Sequence, residues 1–97
     1  PNFVAGSSAR LAAPVTALEV YPNPSRDIFN VSFTSEKAQT INVKVINVIG
    51  EVVYTENLEE FTGQYTNIVD MNNQPKGVYF LEITTNTGGI NKKIVLQ

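Results

Sequence analysis

Apolar and polar residues alternate along several short stretches of the chain, beginning at Leu18. In residues 29–33, three apolar side chains alternate with two polar ones, which is the period of two expected of a β-strand with one buried face. Such rows can pack against each other between two sheets. Three apolar rows are predicted to form the core: Phe29, Val31 and Phe33; Ile41, Val43 and Val45; Tyr79, Leu81 and Ile83.

Turn residues separate the alternating stretches into about seven short strands, the pattern of an all-β sandwich or barrel. Pro22-Asn23-Pro24 should end the first strand, because neither proline can donate a ladder hydrogen bond. A hairpin is predicted at residues 47–50 with a positive φ at Gly50, and further turns at 75–77 and 87–89. The predicted strands are 18–21, 28–34, 40–47, 51–56, 64–70, 78–84 and 90–96.

The first 17 residues lack this pattern and are rich in Ala, Ser, Gly and Pro. We interpret residues 1–17 as a flexible linker from an upstream domain, and the initial Pro1 as the mark of a fragment or processed form. Residues 18–97 are predicted to form one domain, since 42% hydrophobic and 16% charged residues suit a single core and are too apolar for a disordered tail. No apolar run approaches the ~18 residues of a membrane helix.

The charge pattern argues against nucleic acid as a partner. Seven Lys and Arg residues face nine Asp and Glu residues, for a net charge of −2, and the two signs are scattered along the chain. A nucleic-acid surface needs a basic face that neutralises several phosphates. The pair Lys92 and Lys93 is the only basic cluster, and it could equally discourage strand-to-strand aggregation at a sheet edge.

The chain has no Cys and no His. This composition excludes disulfides, a thiolate nucleophile, a Ser–His arrangement and the usual zinc or copper ligands. Carboxylates are then the only plausible catalytic or metal-binding groups, but the candidates lie in or near turns and lack the spacing of a calcium loop. We therefore predict no enzyme activity, metal or cofactor. The carboxylate candidates are Asp27, Glu59, Glu60 and Asp70.

Aromatic side chains leave a second function open. Tyr54 and Tyr65, if exposed side by side, would form a platform for sugar rings, as in an accessory module that binds carbohydrate or mediates adhesion. Alternating positions favour a core role for Phe29, Phe33 and Tyr79 instead.

Four stretches in order, "LEVYPNPSRDIFNVSF", "INVKVINVIGEVVYTE", "QPKGVYFLEITT" and "KKIVLQ", resemble the type A C-terminal sorting domain of the type IX (Por) secretion system. The resemblance covers about residues 18–97. It implies an immunoglobulin-like β-sandwich that directs an upstream cargo protein of Bacteroidota through the outer membrane. In one respect the chain departs from the family: Glu51 follows Gly50, where a basic residue is often found.

The resemblance also implies a route and partners. The precursor would fold in the periplasm, and outer-membrane shuttle and translocon proteins would carry it across by means of this domain. A sortase-like cysteine protease would then remove the domain, so that the cargo is attached to the cell surface or released. The predicted processing region is Gly6, Ser7, Ser8, Ala9, Arg10, Leu11, Ala12, Ala13, Pro14, Val15, Thr16 and Ala17.

By resemblance, the residues recognised during export lie in the terminal motif and in the preceding block. We predict that a partner strand extends an unpaired edge of the last strand while Lys92 and Lys93 orient it. The predicted recognition residues are Lys92, Lys93, Ile94, Val95, Leu96, Gln97, Pro75, Gly77, Val78 and Tyr79, and the family's turn residues are Pro22, Asn23, Pro24, Asn47 and Gly50.

Overall fold

Five antiparallel strands make up residues 15–97, the part of the chain that this computed structural model describes. Within that range there is no helix long and apolar enough to cross a membrane. The strands are β1 (Thr16–Tyr21), β2 (Ile28–Asn47), β3 (Val52–Asp70), β4 (Gly77–Thr85) and β5 (Gly88–Leu96).

Strands β2 and β3 are much longer than the sequence predicted, at 20 and 19 residues. They pair along almost their whole length, from Ile28 opposite Asp70 to Ile46 opposite Val52. The polar stretches predicted to end strands near residues 35–40 and 57–63 instead hold register shifts in this ladder. Bulges bend a strand without ending it, so four of the predicted short strands are halves of two bent ones.

The other strands add to different halves of β2. β1 pairs with its first half, from Thr34 to Asn30, whereas β4 pairs with its second half, from Asn42 to Asn47. β5 then pairs with β4 along its whole length. The bend in β2 and β3 thus divides the sheet into two layers. The three-stranded layer contains β1, the first half of β2 and the second half of β3, and the four-stranded layer contains the other halves of β2 and β3 with β4 and β5. This arrangement confirms the predicted all-β fold class and is compatible with an immunoglobulin-like sandwich.

The core lies between these layers. All three predicted apolar rows are buried in it, as are Tyr65, Val69, Met71, Ile94 and Leu96. Phe33 stacks on Tyr65 with ring centroids 4.6 Å apart. Each large aliphatic or aromatic side chain buried in this way contributes about 1.5–3 kcal/mol relative to an exposed one.

The start of the fold extends into the predicted linker. Val15 is buried, and Thr16 and Ala17 belong to β1. Residues 6–14 of the predicted processing region, and the rest of the linker, lie outside the described residues.

Turn predictions agree with the backbone at two positions. β1 ends at Tyr21, directly before Pro22, and the peptide bonds preceding Pro22 and Pro24 are cis. Gly50 has a φ of 90° in the turn between β2 and β3, a conformation that side chains larger than hydrogen rarely adopt.

Candidate recognition site at the end of the four-stranded layer

Four segments that are far apart in sequence meet at one end of the four-stranded layer. Across the sheet, Asn47 lies opposite Tyr79, and Tyr79 lies opposite Ile94. One step further along, Gly77 pairs with Leu96, and Leu96 forms a parallel bridge with Ser25. The fold therefore brings together the residues of the predicted opening motif, central hairpin, 75–79 block and terminal motif.

The terminal motif has two faces. Ile94 and Leu96 are each only 1% exposed and belong to the core, whereas Lys93 and Gln97 are exposed and Val95 is half-buried. Alternate residues of a strand point to opposite sides of the sheet. Of the six predicted recognition residues in this motif, Ile94 and Leu96 therefore act in packing, and the odd-numbered three form the outward face. Lys92 lies on the side of Ile94 and Leu96, opposite Leu81, but is exposed.

The side chain of Asn23 pairs with the outer edge of β5. Its Nδ2 donates a hydrogen bond to the backbone carbonyl of Lys93 (3.1 Å), and its Oδ1 accepts one from the backbone N–H of Val95 (3.0 Å). A side-chain amide carries the same donor and acceptor as a peptide unit. Asn23 thus takes the place that the backbone of a neighbouring strand would occupy.

The backbone of Ser25 continues this pairing toward the chain end. Its N–H donates to the carbonyl of Val95 (2.9 Å), and its carbonyl accepts from the N–H of Gln97 (2.7 Å). Ser25 itself is buried, and its hydroxyl donates to the carbonyl of Ile28. The sequence did not lead us to predict a role for Ser25. The only feature that could have indicated one is its position directly after Pro24.

These contacts correct the prediction of an unpaired edge on the last strand. From the carbonyl of Lys93 to the N–H of Gln97, the outward backbone groups of β5 already have partners. Strand addition needs such groups to be free. Among the described residues, the open part of this edge lies before that point, around Asn91.

The hairpin between β2 and β3 is held by Asn47. Its Oδ1 accepts hydrogen bonds from the backbone N–H groups of Ile49 (3.1 Å) and Glu51 (2.9 Å), and its Nδ2 donates to the Glu51 carboxylate (2.8 Å). The turn leaves Val48 and Ile49 at its tip, 70% and 76% exposed. Glu51, the departure from the family pattern, therefore stabilises the turn.

The 75–79 block lies beside this hairpin. Tyr79 is buried and its hydroxyl donates to the carbonyl of Pro75 (2.5 Å), so its side chain supports the block from within. Pro75 is exposed and Val78 is half-buried. A shallow groove of ≈ 450 Å³ separates the block from the hairpin tip, with Ile49 and Val78 among its lining residues.

The outer face of the four-stranded layer is apolar at this end and polar at the other. Ile46 lies opposite both Phe80 and Val52, and Val78 lies opposite Val95. Lys93 pairs with Phe80 and so borders this apolar face. The next pair along the same face is polar: Lys44 lies opposite Glu82, and the two form an ion pair (3.8 Å).

The tyrosines proposed as a sugar platform point into the fold. Tyr65 is only 6% exposed, and its hydroxyl donates to the Glu56 carboxylate (2.5 Å). The Tyr54 hydroxyl donates to the same Glu56 oxygen (3.1 Å), and Asn67 Nδ2 donates to the Tyr54 hydroxyl and to this Glu56 oxygen. Burial, followed by the hydrogen bond to Glu56, raises the pKa of Tyr65. Tyr54 and Tyr65 therefore belong to a part-buried hydrogen-bond network and do not form an exposed pair, so the accessory carbohydrate-binding function loses its main support.

The four candidate carboxylates lie on the surface. Asp27, Glu59, Glu60 and Asp70 are all exposed, and the Asp70 carboxylate accepts a hydrogen bond from the N–H of Asn72 (2.9 Å). Within residues 15–97, no group of three or more Asp and Glu side chains is placed to hold a metal ion.

Comparison with known protein families matches the chain to the family described as "Secretion system C-terminal sorting domain" over residues 19–97. The chain is 31% identical over 85 residues to beta-agarase D of Zobellia galactanivorans, a match that covers 87% of this chain and 16% of that protein. It is also 31% identical over 72 residues to an ulvan lyase of Nonlabens ulvanivorans, covering 74% of this chain and 12% of the lyase. The chain thus spans less than a fifth of either relative.

Proposed function

The chain belongs to the C-terminal sorting domain family of the type IX secretion system, and we propose that it exports an upstream cargo protein by presenting the assembled end of its four-stranded layer to the secretion machinery. The cargo carries the biological activity and the domain has no catalytic role.

The convergence of four distant segments carries the proposal. The exposed residues at this end are the outward side chains of the terminal motif, the hairpin tip and Pro75. An exposed apolar surface of this kind, bordered by polar residues, marks protein interaction sites. Lys92 and Lys93 add charge, and neither has an ion-pair partner in the described part of the chain.

The same proposal includes the route and the partners. The domain folds in the periplasm and binds outer-membrane shuttle and translocon proteins, which carry the cargo to the cell surface or the medium. A sortase-like cysteine protease then cleaves the segment that precedes the sandwich. We place the cleavage within residues 6–14, because Val15 is buried in the core and Thr16 and Ala17 belong to β1.

A reporter fused upstream of residues 1–97 in a type IX-competent host tests this function. We expect the reporter at the surface or in the medium, and a fusion that ends at Thr87 to stay in the periplasm. A Lys92→Ala/Lys93→Ala fusion should also stay in the periplasm although it folds, because exposed charges contribute little to stability.

The control is Lys37→Ala, which removes an exposed charge away from the terminal motif and should leave export unchanged. Folding of each variant is checked by its resistance to protease. Retention of the unaltered fusion inside the cell would contradict the sorting function for this chain.

A further inference from the structure

We propose that Asn23 is a positioning residue that closes the outer edge of β5, so that the export machinery recognises the outward side chains of the terminal motif and does not add a strand to it. The inference rests on the proposed function and concerns how the same site is recognised.

The geometry of Asn23 is that of an inserted peptide unit. Both groups of its side-chain amide bond to β5, one to Lys93 and one to Val95. The spacing of two residues between these partners is the spacing between successive outward groups of a strand. Ser25 then bonds in the same manner to Val95 and Gln97, so the edge is paired without interruption to the last residue.

The segment that closes the edge, residues 23–27, also forms hydrogen bonds to other parts of the fold. The buried hydroxyl of Ser25 bonds to the carbonyl of Ile28, and the carbonyl of Asp27 accepts a hydrogen bond from the N–H of Met71 (2.7 Å). The carbonyl of Arg26 accepts one from Lys76 Nζ (2.5 Å). A partner strand would have to displace a segment held at both sides, which argues against strand addition at residues 93–97.

Closure of the edge leaves the side chains as the accessible feature. Lys93, Val95 and Gln97 point outward, and Val95 lies beside Val78 while Lys93 lies beside Phe80. The arrangement fits a protein surface that offers apolar contacts together with a carboxylate for Lys93. Asn23 contributes by holding the backbone of these residues in one position.

The two modes of recognition predict opposite effects of Asn23→Ala. If the machinery recognises side chains on a closed edge, the substitution frees the strand end and export falls. If the machinery adds a strand, the substitution opens the edge and export is unchanged or rises.

The experiment compares the unaltered reporter fusion with Asn23→Ala and Asn30→Ala fusions. Asn30 is a matched control, because its Nδ2 also donates to a backbone carbonyl, that of Tyr21 (3.1 Å), but away from β5. Amide exchange of the 97-residue chain is measured in parallel by NMR. Loss of one hydrogen bond should speed exchange at the Val95 N–H about tenfold in Asn23→Ala and leave it unchanged in Asn30→Ala.

We expect export to fall about tenfold in Asn23→Ala and to stay at the unaltered level in Asn30→Ala, at equal resistance to protease. Asn23→Asp provides a second variant if the alanine form does not fold, because it keeps the acceptor for Val95 and places a carboxylate oxygen, which cannot donate, against the carbonyl of Lys93; export should fall in it as well. Unchanged or increased export in a folded Asn23 variant with faster Val95 exchange would overturn the positioning role. Loss of export from the unaltered fusion would instead refute the sorting function itself.

Discussion

Adjacent residues of the terminal strand should respond very differently to the same substitution. Leu96 is 1% exposed and packs in the core, whereas Val95 is half-buried on the outward face. Truncation of a fully buried leucine to alanine costs about 2–5 kcal/mol, because transfer free energy is lost and a cavity remains. For Val95→Ala we expect a loss below about 1 kcal/mol, since fewer contacts disappear.

The size of the domain makes this difference easy to measure. A chain of 97 residues has an unfolding free energy of roughly 5–15 kcal/mol, so Leu96→Ala removes a large share of it. One kcal/mol shifts the melting temperature of such a domain by about 4–8 °C. Thermal unfolding followed by circular dichroism should therefore show Leu96→Ala melting at least about 8 °C below the unaltered domain, with Val95→Ala only slightly below it.

Export separates the two residues in the other direction. Val95→Ala should reduce export while the domain remains folded, because Val95 belongs to the outward surface. Leu96→Ala should reduce export only as far as the domain unfolds at the temperature of the assay. Equal melting temperatures for both variants would refute the assignment of Leu96 to the core and of Val95 to the surface.

Two further predictions concern hydrogen-bonded side chains. Burial and the hydrogen bond to Glu56 raise the pKa of Tyr65 in the folded state, so the neutral hydroxyl stabilises the fold fully below the unfolded pKa of about 10, and this stabilisation is lost as the pH rises above it. Urea unfolding at pH 8 and above pH 10 should therefore show a larger alkaline loss of unfolding free energy for the unaltered domain than for Tyr65→Phe. Equal losses in the two proteins would contradict this prediction. Asn47→Ala should cost about 1–2 kcal/mol in urea unfolding, because the N–H groups of Ile49 and Glu51 lose their acceptor; a change within experimental error would show that water replaces the side chain.

The terminal motif serves both the core and the exposed surface, and this has a consequence for export. The candidate surface exists only when residues 22–25, 47–50, 75–79 and 92–97 are assembled by the fold. On the proposed function, an unfolded domain would present the motif residues without their arrangement. Recognition would therefore depend on folding of the domain as well as on the presence of the motif.

The sequence by itself determined the fold class, the apolar rows of the core and two of the turns. The apolar rows at Phe29, Ile41 and Tyr79 have the period of two that places every second side chain inside, and this signal is local. The positive φ of Gly50 and the end of β1 before Pro22 follow from the chemistry of single residues. The family resemblance, carried by four ordered motifs, agreed with the family match over residues 19–97.

Only the tertiary structure decided how these parts combine. Continuous pairing through the bend of β2 and β3 depends on register shifts that occur in both strands at once, which a single strand's pattern does not encode. The contact between Asn23 and Val95 joins residues 72 positions apart, and no local propensity specifies such a pair. The edge of β5 is closed because the chain returns Pro22 to Ser25 alongside it, and the sequence shows the groups involved but not their distance.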